Sequence, residues 1–575
     1  MRLEPSLEAE GARAIREALG VDAPALVRPA NPSHGDYQIN GVLPLAKELK
    51  KVPRELALAV AEKLRGSEAI ASADVAGPGF INLKLAPAWV ARQLLEQAKD
   101  VARDGVPAAG RPQRIVVDFS APNIAKQMHV GHLRSTIIGD ALCRLLRFLG
   151  HHVIGDNHLG DWGTQFGLLI VGMRRFGSQE ALDREPIEEL ERIYKLASAE
   201  AKENPAVADE ARAELAKLQY GDPDSRALWQ RFLSATRVEL EKNYARLGVS
   251  FDEWLGESAY EEMLPKVVSE LRETGLARED QGAICVFFDD NPELGKSPMI
   301  VRKKDGAYLY ATTDIATALY RRDHFHAERA IYVVDKRQSL HFKQLFALLG
   351  RMGLDMQLEH VSFGAVLGKD GKPLKTRDGG TIKLSELLDE AVSRAAEHMR
   401  RARDENVLEL SDAQIAELAP VVGIGAVRYA DLMQNRASDY QFDWDKMISF
   451  KGNAGPYLQY AHARISALFR KGEVDPTTLP LERAPELAHP AELALAKHLL
   501  RFADVVTQAA EQSLPHLVAE HLYDLARLFS VFYEACPVLK ADPADREARL
   551  MLAWCVGRQL RRGLGLLGID APDRM

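Results

Sequence analysis

Two histidines, His129 and His132, stand either side of Gly131 in the run His129-Val130-Gly131-His132. Imidazole N–H groups donate to phosphate oxygens, and a glycine between them lets the backbone approach an anion with no Cβ in the way. In nucleotidyl transfer, negative charge grows on the nonbridging oxygens of the α-phosphorus of ATP. A fixed donor there is worth roughly 2.7–4 kcal/mol if it acts as an oxyanion-hole donor does. A second stretch, Gly368 to Gly380, gathers lysine, glycine and hydroxyl groups around Lys375 and has the composition of a flap over pyrophosphate. Taken alone, the histidine run is equally consistent with a solvated surface turn, because a four-residue motif is short, and the composition of the second stretch by itself favours an ordinary solvated turn.

Strand and helix signals flank the histidines. Ile115, Val116, Val117, Asp118 and Phe119 form a brief β-branched run that predicts a buried strand. From Leu133, apolar residues recur at Ile137, Ile138, Leu142, Leu145, Leu146 and Leu149, and Gly150 ends the pattern as a C-terminal cap does. The histidines therefore fall at a helix N-terminus, where unpaired N–H groups and the positive end of the dipole attract phosphate.

Further strands are predicted at Ala283 to Phe288, Ala330 to Val334 and Val361 to Val366, with a helical run from Leu340 to Leu349. Strands alternating with helices imply a parallel sheet with ligands beyond the carboxyl ends of its strands. The fold class is α/β: a Rossmann-type parallel-sheet catalytic domain, a small α+β N-terminal domain and an α-helical bundle at the C-terminus. Gly105, Pro107, Gly110 and Pro112 punctuate a boundary near 110. The expected division is 1–110, 111–395 with a helical, charge-rich insertion at about 180–280, and 396–575.

At 575 residues the chain needs several cores, since single cores stop growing near roughly 250 to 300 residues. No stretch approaches the ~20 apolar residues of a membrane span, and the opening residues have no signal-peptide pattern, so a cytoplasmic location is expected. Cys143, Cys285, Cys536 and Cys555 are too scattered for a disulfide framework or a thiolate metal site, and no metal-binding residues are expected. The net charge of −8 argues weakly against nucleic acid as a partner, because a patch needs only local excess. Such excesses occur at Met399 to Arg403, Arg464 to Lys471 and Arg558 to Arg562.

Phe119 to Ser135 as a block, with Asn123-Ile124-Ala125-Lys126 before the histidines and Gly160-Asp161-Trp162-Gly163 after them, closely resembles the signature of arginyl-tRNA synthetases. His34-Gly35-Asp36-Tyr37 and Ala76 to Asn82 resemble that family's N-terminal domain, and Gly455 to His462 with Asp573-Arg574-Met575 its C-terminal one. The resemblance implies an arginine–tRNA ligase that uses ATP, with magnesium accompanying the nucleotide, and acts as a monomer on tRNA(Arg). It assigns His129, Gly131, His132, Lys126 and Lys375 to ATP, and His129, His132, Lys126 and Lys375 to catalysis. It assigns Asn123, Glu257, Tyr310, Asp314 and Gln338 to L-arginine. It places Tyr457, Tyr533 and Met575 on the anticodon loop, and the N-terminal domain on the outer corner of the tRNA. Where class I relatives carry Lys-Met-Ser-Lys-Ser, this chain has Lys-Thr-Arg, which puts weight on Lys126 as a compensating cation. The resemblance also implies that activation waits for bound tRNA. A small-molecule nucleotidyltransferase would share the strand, loop and helix but has no use for a long helical C-terminal region.

Overall fold

The computed structural model describes every residue except Met1, Pro32, Pro373, 375–381, Asn406 and Val407. It contains two compact units: Ala109–Ser449 with Leu567–Ile569, and Met1–Ala108 with Phe450–Leu566 and Asp570–Met575.

The first unit is built on a four-stranded parallel sheet. Ile115, Val116 and Val117 have no accessible surface, and burying each such side chain stabilises by about 1.5–3 kcal/mol. A strand buried on both faces reads as an unbroken apolar run rather than an alternation, as Arg114–Asp118 does. It pairs on one side with His152–Asp156 and on the other with Arg329–Tyr332, and the latter pairs with Gln357–His360. In this order the chain direction across the sheet reverses between Arg114–Asp118 and Arg329–Tyr332, which is the topological switch point where open α/β sheets bind ligands. The register aligns Asp156, Asp118, Tyr332 and His360 in one row at the carboxyl edge.

Two predicted strands lie elsewhere. Ala283–Val286 belongs to a separate antiparallel sheet with Ala277–Asp280 and Met299–Arg302. The cause is local: Gln281 and Gly282, both at positive φ, form a two-residue hairpin loop, which returns the chain antiparallel instead of sending it through a crossover. The run Val361 to Val366 is not one strand either. The sheet strand ends at His360, the Gly364 N–H is taken by Arg436 O at 2.9 Å, and Val366–Leu367 pairs with Tyr440–Gln441.

The insertion is helical: Gln179–Arg184, Pro186–Glu203, Pro205–Gln219 and Pro223–Leu247. The last three begin with proline in the first turn, where its missing N–H costs nothing. The expected cut at 395 falls inside helix Leu384–Asp404, and that helix and Asp412–Leu432 belong to the sheet unit. Two buried ion pairs fix the second of them: Arg134 with Asp431 at 3.0 Å and Arg428 with Asp140 at 2.5 Å, Arg134 and Asp140 lying on helix Val130–Phe148.

The second unit combines a four-stranded antiparallel sheet, Val27–Pro29, Tyr37–Ile39, Phe80–Leu85 and Ile70–Ala76, with helices that include Gly455–Lys471, His516–Ala535 and Pro543–Leu566. Buried Asp104 accepts from Arg558 and Arg562, each at 2.5 Å, so two of the basic residues near the chain's end serve an internal anion instead of a solvated face.

Candidate active site

Helix Val130–Phe148 opens with His129 as its N-cap in extended backbone. The His129 Nδ1 accepts the Gly131 N–H at 3.0 Å, and the His129 N–H donates to His132 Nδ1 at 3.1 Å. The rings lie 4.0 Å apart. Because each Nδ1 accepts, each neutral ring carries its proton on Nε2, free to donate outward. Burial holds both rings below the usual histidine range, and the nearby Lys126 ammonium adds to it; His132 is pushed down to about 3. The pair is therefore neutral at physiological pH: two N–H donors, with the positive charge left to Lys126. Gly131 has a more local reason than anion approach. A Cβ there would stand 2.7 Å from His129 Cε1 and 2.8 Å from Nδ1, so a side chain would displace the imidazole.

The loop leading into this helix is strained. Ser120, Ala121 and Ala125 all have positive φ, a conformation that costs a non-glycine residue of order 1–3 kcal/mol. Side-chain hydrogen bonds hold it: Ser120 N–H to Ser135 Oγ at 2.9 Å, Ala121 N–H to Asn157 Oδ1 at 3.2 Å, and Ala125 N–H to Thr236 Oγ1 at 3.2 Å. Tyr244 OH joins Ser120 Oγ at 2.7 Å and accepts from Asn157 Nδ2 at 3.1 Å. Thr236 and Tyr244 come from the insertion helix Pro223–Leu247, so the insertion buttresses the loop. On the other flank, Val130 N–H donates to Ile382 O and Leu384 N–H to Met128 O, which pins the chain following 375–381 against the histidines.

Beyond the sheet edge lies a set of carboxyl groups. Burial pushes Glu257 up to about 7 against the lowering effect of His158, and the charges of Asp161 and Asp314 push it further. Asp161 accepts from the Ser258 hydroxyl at 2.6 Å and its N–H at 2.8 Å. Asp314, one turn after Tyr310 on helix Tyr310–Asp323, meets His341 Nε2 at 2.6 Å. Neither Glu257 nor Asp314 pairs with an arginine or lysine among the described residues. The strand-end carboxylates differ: fully buried Arg321 donates to Asp118 and Asp156, each at 2.7 Å, which consumes their charge inside the sheet.

The structure thus gathers Lys126 with the two histidines, and Glu257 with Asp314. Asn123 is placed by a bridge to Gly160, whose missing Cβ leaves room for the Asn123 amide oxygen. Gln338 ends a short 3-10 turn and is exposed, so its assignment rests on position alone. Lys375 lies outside the described residues. Tyr457 and Tyr533 stand in the second unit on helices Gly455–Lys471 and His516–Ala535, with Arg464 4.6 Å from the Tyr533 ring. The chain end runs along the first of these helices through Ser466 to Asp573 at 3.0 Å and Arg470 to Asp573 O at 2.9 Å, two residues short of Met575. The reading of the sequence passed over His158, Asp161 in its own right, and His341. His158 and Asp161 follow the strand His152–Asp156, which the sequence reading did not anticipate, and His341 shows no local signal.

Known proteins show the same organisation. The catalytic-domain model of the class I tRNA synthetases of the arginine type matches residues 93–444, which makes the sheet unit that of a class I aminoacyl-tRNA synthetase. The arginyl-tRNA synthetase N-terminal domain matches residues 6–85, and the DALR anticodon-binding domain residues 458–575. The chain is 45% identical to the arginine–tRNA ligase of Hahella chejuensis over all of both chains, and 44% identical to that of Pectobacterium atrosepticum over 100% of this chain and 98% of the other. The crystal structure of arginyl-tRNA synthetase from Plasmodium falciparum superposes with a TM-score of 0.82 at 28% identity, covering 100% and 99% of the two chains. The Thermus thermophilus arginyl-tRNA synthetase does so with the same score and identity over all of both chains. The chain belongs to the arginyl-tRNA synthetase family.

Proposed function

We propose that this chain activates L-arginine with ATP and passes the arginyl group to the 2′-hydroxyl of the terminal adenosine of tRNA(Arg). A carboxylate oxygen of arginine attacks the α-phosphorus and pyrophosphate leaves; the tRNA hydroxyl then attacks the arginyl carbonyl and AMP leaves. The observation that carries this reading is the pair of neutral imidazoles at a helix N-terminus on the sheet's switch point, in the same unit as carboxylates that pair with no arginine or lysine among the described residues.

In this reading His129 and His132 donate from Nε2 to the oxygens of the pentacovalent phosphorus, where one lost donor costs about 10²–10³ in rate. Gly131 preserves the His129 ring position, and Lys126 and Lys375 hold pyrophosphate as point charges. Magnesium belongs to the ATP substrate, held by its phosphates, since imidazole and ammonium groups at this helix end supply no oxygen ligands for it. Glu257 and Asp314 face the guanidinium, with Tyr310, Gln338 and Asn123 completing the arginine site. A site whose acceptors are set for a planar fork rejects a ligand that leaves them unpaired, so no editing step is required.

Tyr457, Tyr533 and Met575 are assigned to the anticodon loop, where stacking a base on tyrosine is worth roughly 1–3 kcal/mol. Residues 1–110 are assigned to the outer corner of the tRNA, the sheet unit through Ser449 to catalysis and the helices from Phe450 onward to the anticodon. A monomer located in the cytoplasm completes the proposal; no helix among the described residues is long and apolar enough to cross a membrane. The test is charging of total tRNA with labelled amino acids: arginyl-tRNA forming in an ATP-dependent reaction is expected, and charging with another amino acid, or none, would contradict it.

A further inference from the structure

His341 is the third residue of helix Ser339–Arg351, and its Nε2 lies 2.6 Å from Asp314 Oδ2. An ionised carboxylate only accepts, so His341 carries a proton on Nε2 and donates it. The imidazole meets Tyr310 edge to face, with centroids 4.9 Å apart and planes at 67°. It is not simple filling for a core. Together with Tyr310, Met299, Leu340 and Gln344 it borders a cavity of about 250 Å³, and 13% of its side chain remains accessible.

The terminal torsion of aspartate is soft and roughly two-fold, so an unrestrained Asp314 would swing its carboxylate plane. A guanidinium presents its donors in a fixed planar fork and loses a hydrogen bond when the opposing carboxylate turns; an ammonium is a point charge, indifferent to that plane. Resting on the arginine pocket proposed above, we infer that His341 is a positioning residue for amino-acid selection: it fixes the plane of Asp314 through one oxygen and leaves the remaining lone pairs to the guanidinium.

The experiment is steady-state charging by the full chain carrying His341→Phe, His341→Gln or Asp314→Asn, with L-lysine as a competitive inhibitor. His341→Phe keeps a ring of similar outline and removes the donor. It should raise KM for arginine about tenfold, the equivalent of one hydrogen bond to a charged group, with KM for ATP unchanged. The inhibition constant of lysine should stay within about threefold of its wild-type value, so selection for arginine over lysine falls. His341→Gln, which retains an N–H, should recover most of the arginine KM. If His341→Phe leaves KM for arginine within about twofold, or weakens lysine in step with arginine, the ring only supports the local fold and the inference is overturned. If Asp314→Asn also leaves KM for arginine unmoved, the pocket assignment itself falls, and the role of His341 with it.

Discussion

At the scale of single residues, the site separates donors from charges. His129 and His132 are fixed as Nε2–H tautomers by backbone hydrogen bonds and kept neutral by burial, so they assist phosphorus without repelling Lys126. His132→Ala is expected to slow adenylate formation by about 10²–10³, read by pre-steady-state quench, while tRNA affinity measured by filter binding stays within about twofold. Equal losses in both would remove its assigned role. Glu257 gives a second expectation with a definite sign. Its carboxyl is raised to about 7, so it is protonated and neutral below that pH and anionic above it. A guanidinium prefers the anion, so KM for arginine should rise as the pH falls through about 7, by up to tenfold per unit. In Glu257→Gln that dependence should vanish, and a slope that survives the substitution would place the titrating group elsewhere. The same shift means the folded chain binds more protons than the unfolded one between 4.5 and about 7, so this group's contribution to stability declines as pH rises across that window.

At the scale of elements, the catalytic loop is held by parts of the chain remote in sequence. Tyr244, on the insertion helix Pro223–Leu247, bonds both Ser120 and Asn157. Tyr244→Phe should cost about 1–3 kcal/mol in urea unfolding, because it strands buried partners, and should slow adenylate formation as the loop from Ser120 to Ala125 relaxes. Unchanged stability would show that other groups satisfy those partners. Much of the framework was legible beforehand. The strand through Ile115–Val117 and the helix ending near Gly150 announced themselves because a buried parallel strand is uniformly apolar and a helix repeats at 3.6 residues. The i, i+4 placement of Tyr310 and Asp314 on one helix was equally readable. The Ala283–Val286 strand was misplaced because apolar content does not specify a sheet, although the Gln281-Gly282 hairpin signal was present in the sequence. Nothing local could have paired Arg321 with Asp118 and Asp156, Tyr244 with Ser120, or His341 with Asp314, since each contact is made by the folded topology alone.

At the scale of the whole molecule, residues distant in the chain share a core within each unit. Asp104 receives two arginines from helix Pro543–Leu566, and the described hydrogen bonds of Gln97 reach Leu499 O at 3.0 Å. Asp104→Ala would leave two guanidinium groups facing a vacated anion site, and breaking a buried pair in that way costs about 3–5 kcal/mol. The expected result is an earlier unfolding transition of that unit in calorimetry with the transition of the sheet unit unmoved, and a single transition shifted as a whole would show that the two melt together. The central claim joins the two imidazoles and the two carboxylates of the sheet unit to one ligand, and a crystal structure with a non-hydrolysable arginyl-adenylate mimic tests it most directly. The phosphate substitute is expected within hydrogen-bond reach of both His129 and His132 Nε2, with the guanidinium against Glu257 and Asp314. The mimic bound away from the two imidazoles, or with its guanidinium turned from those carboxylates, would contradict it.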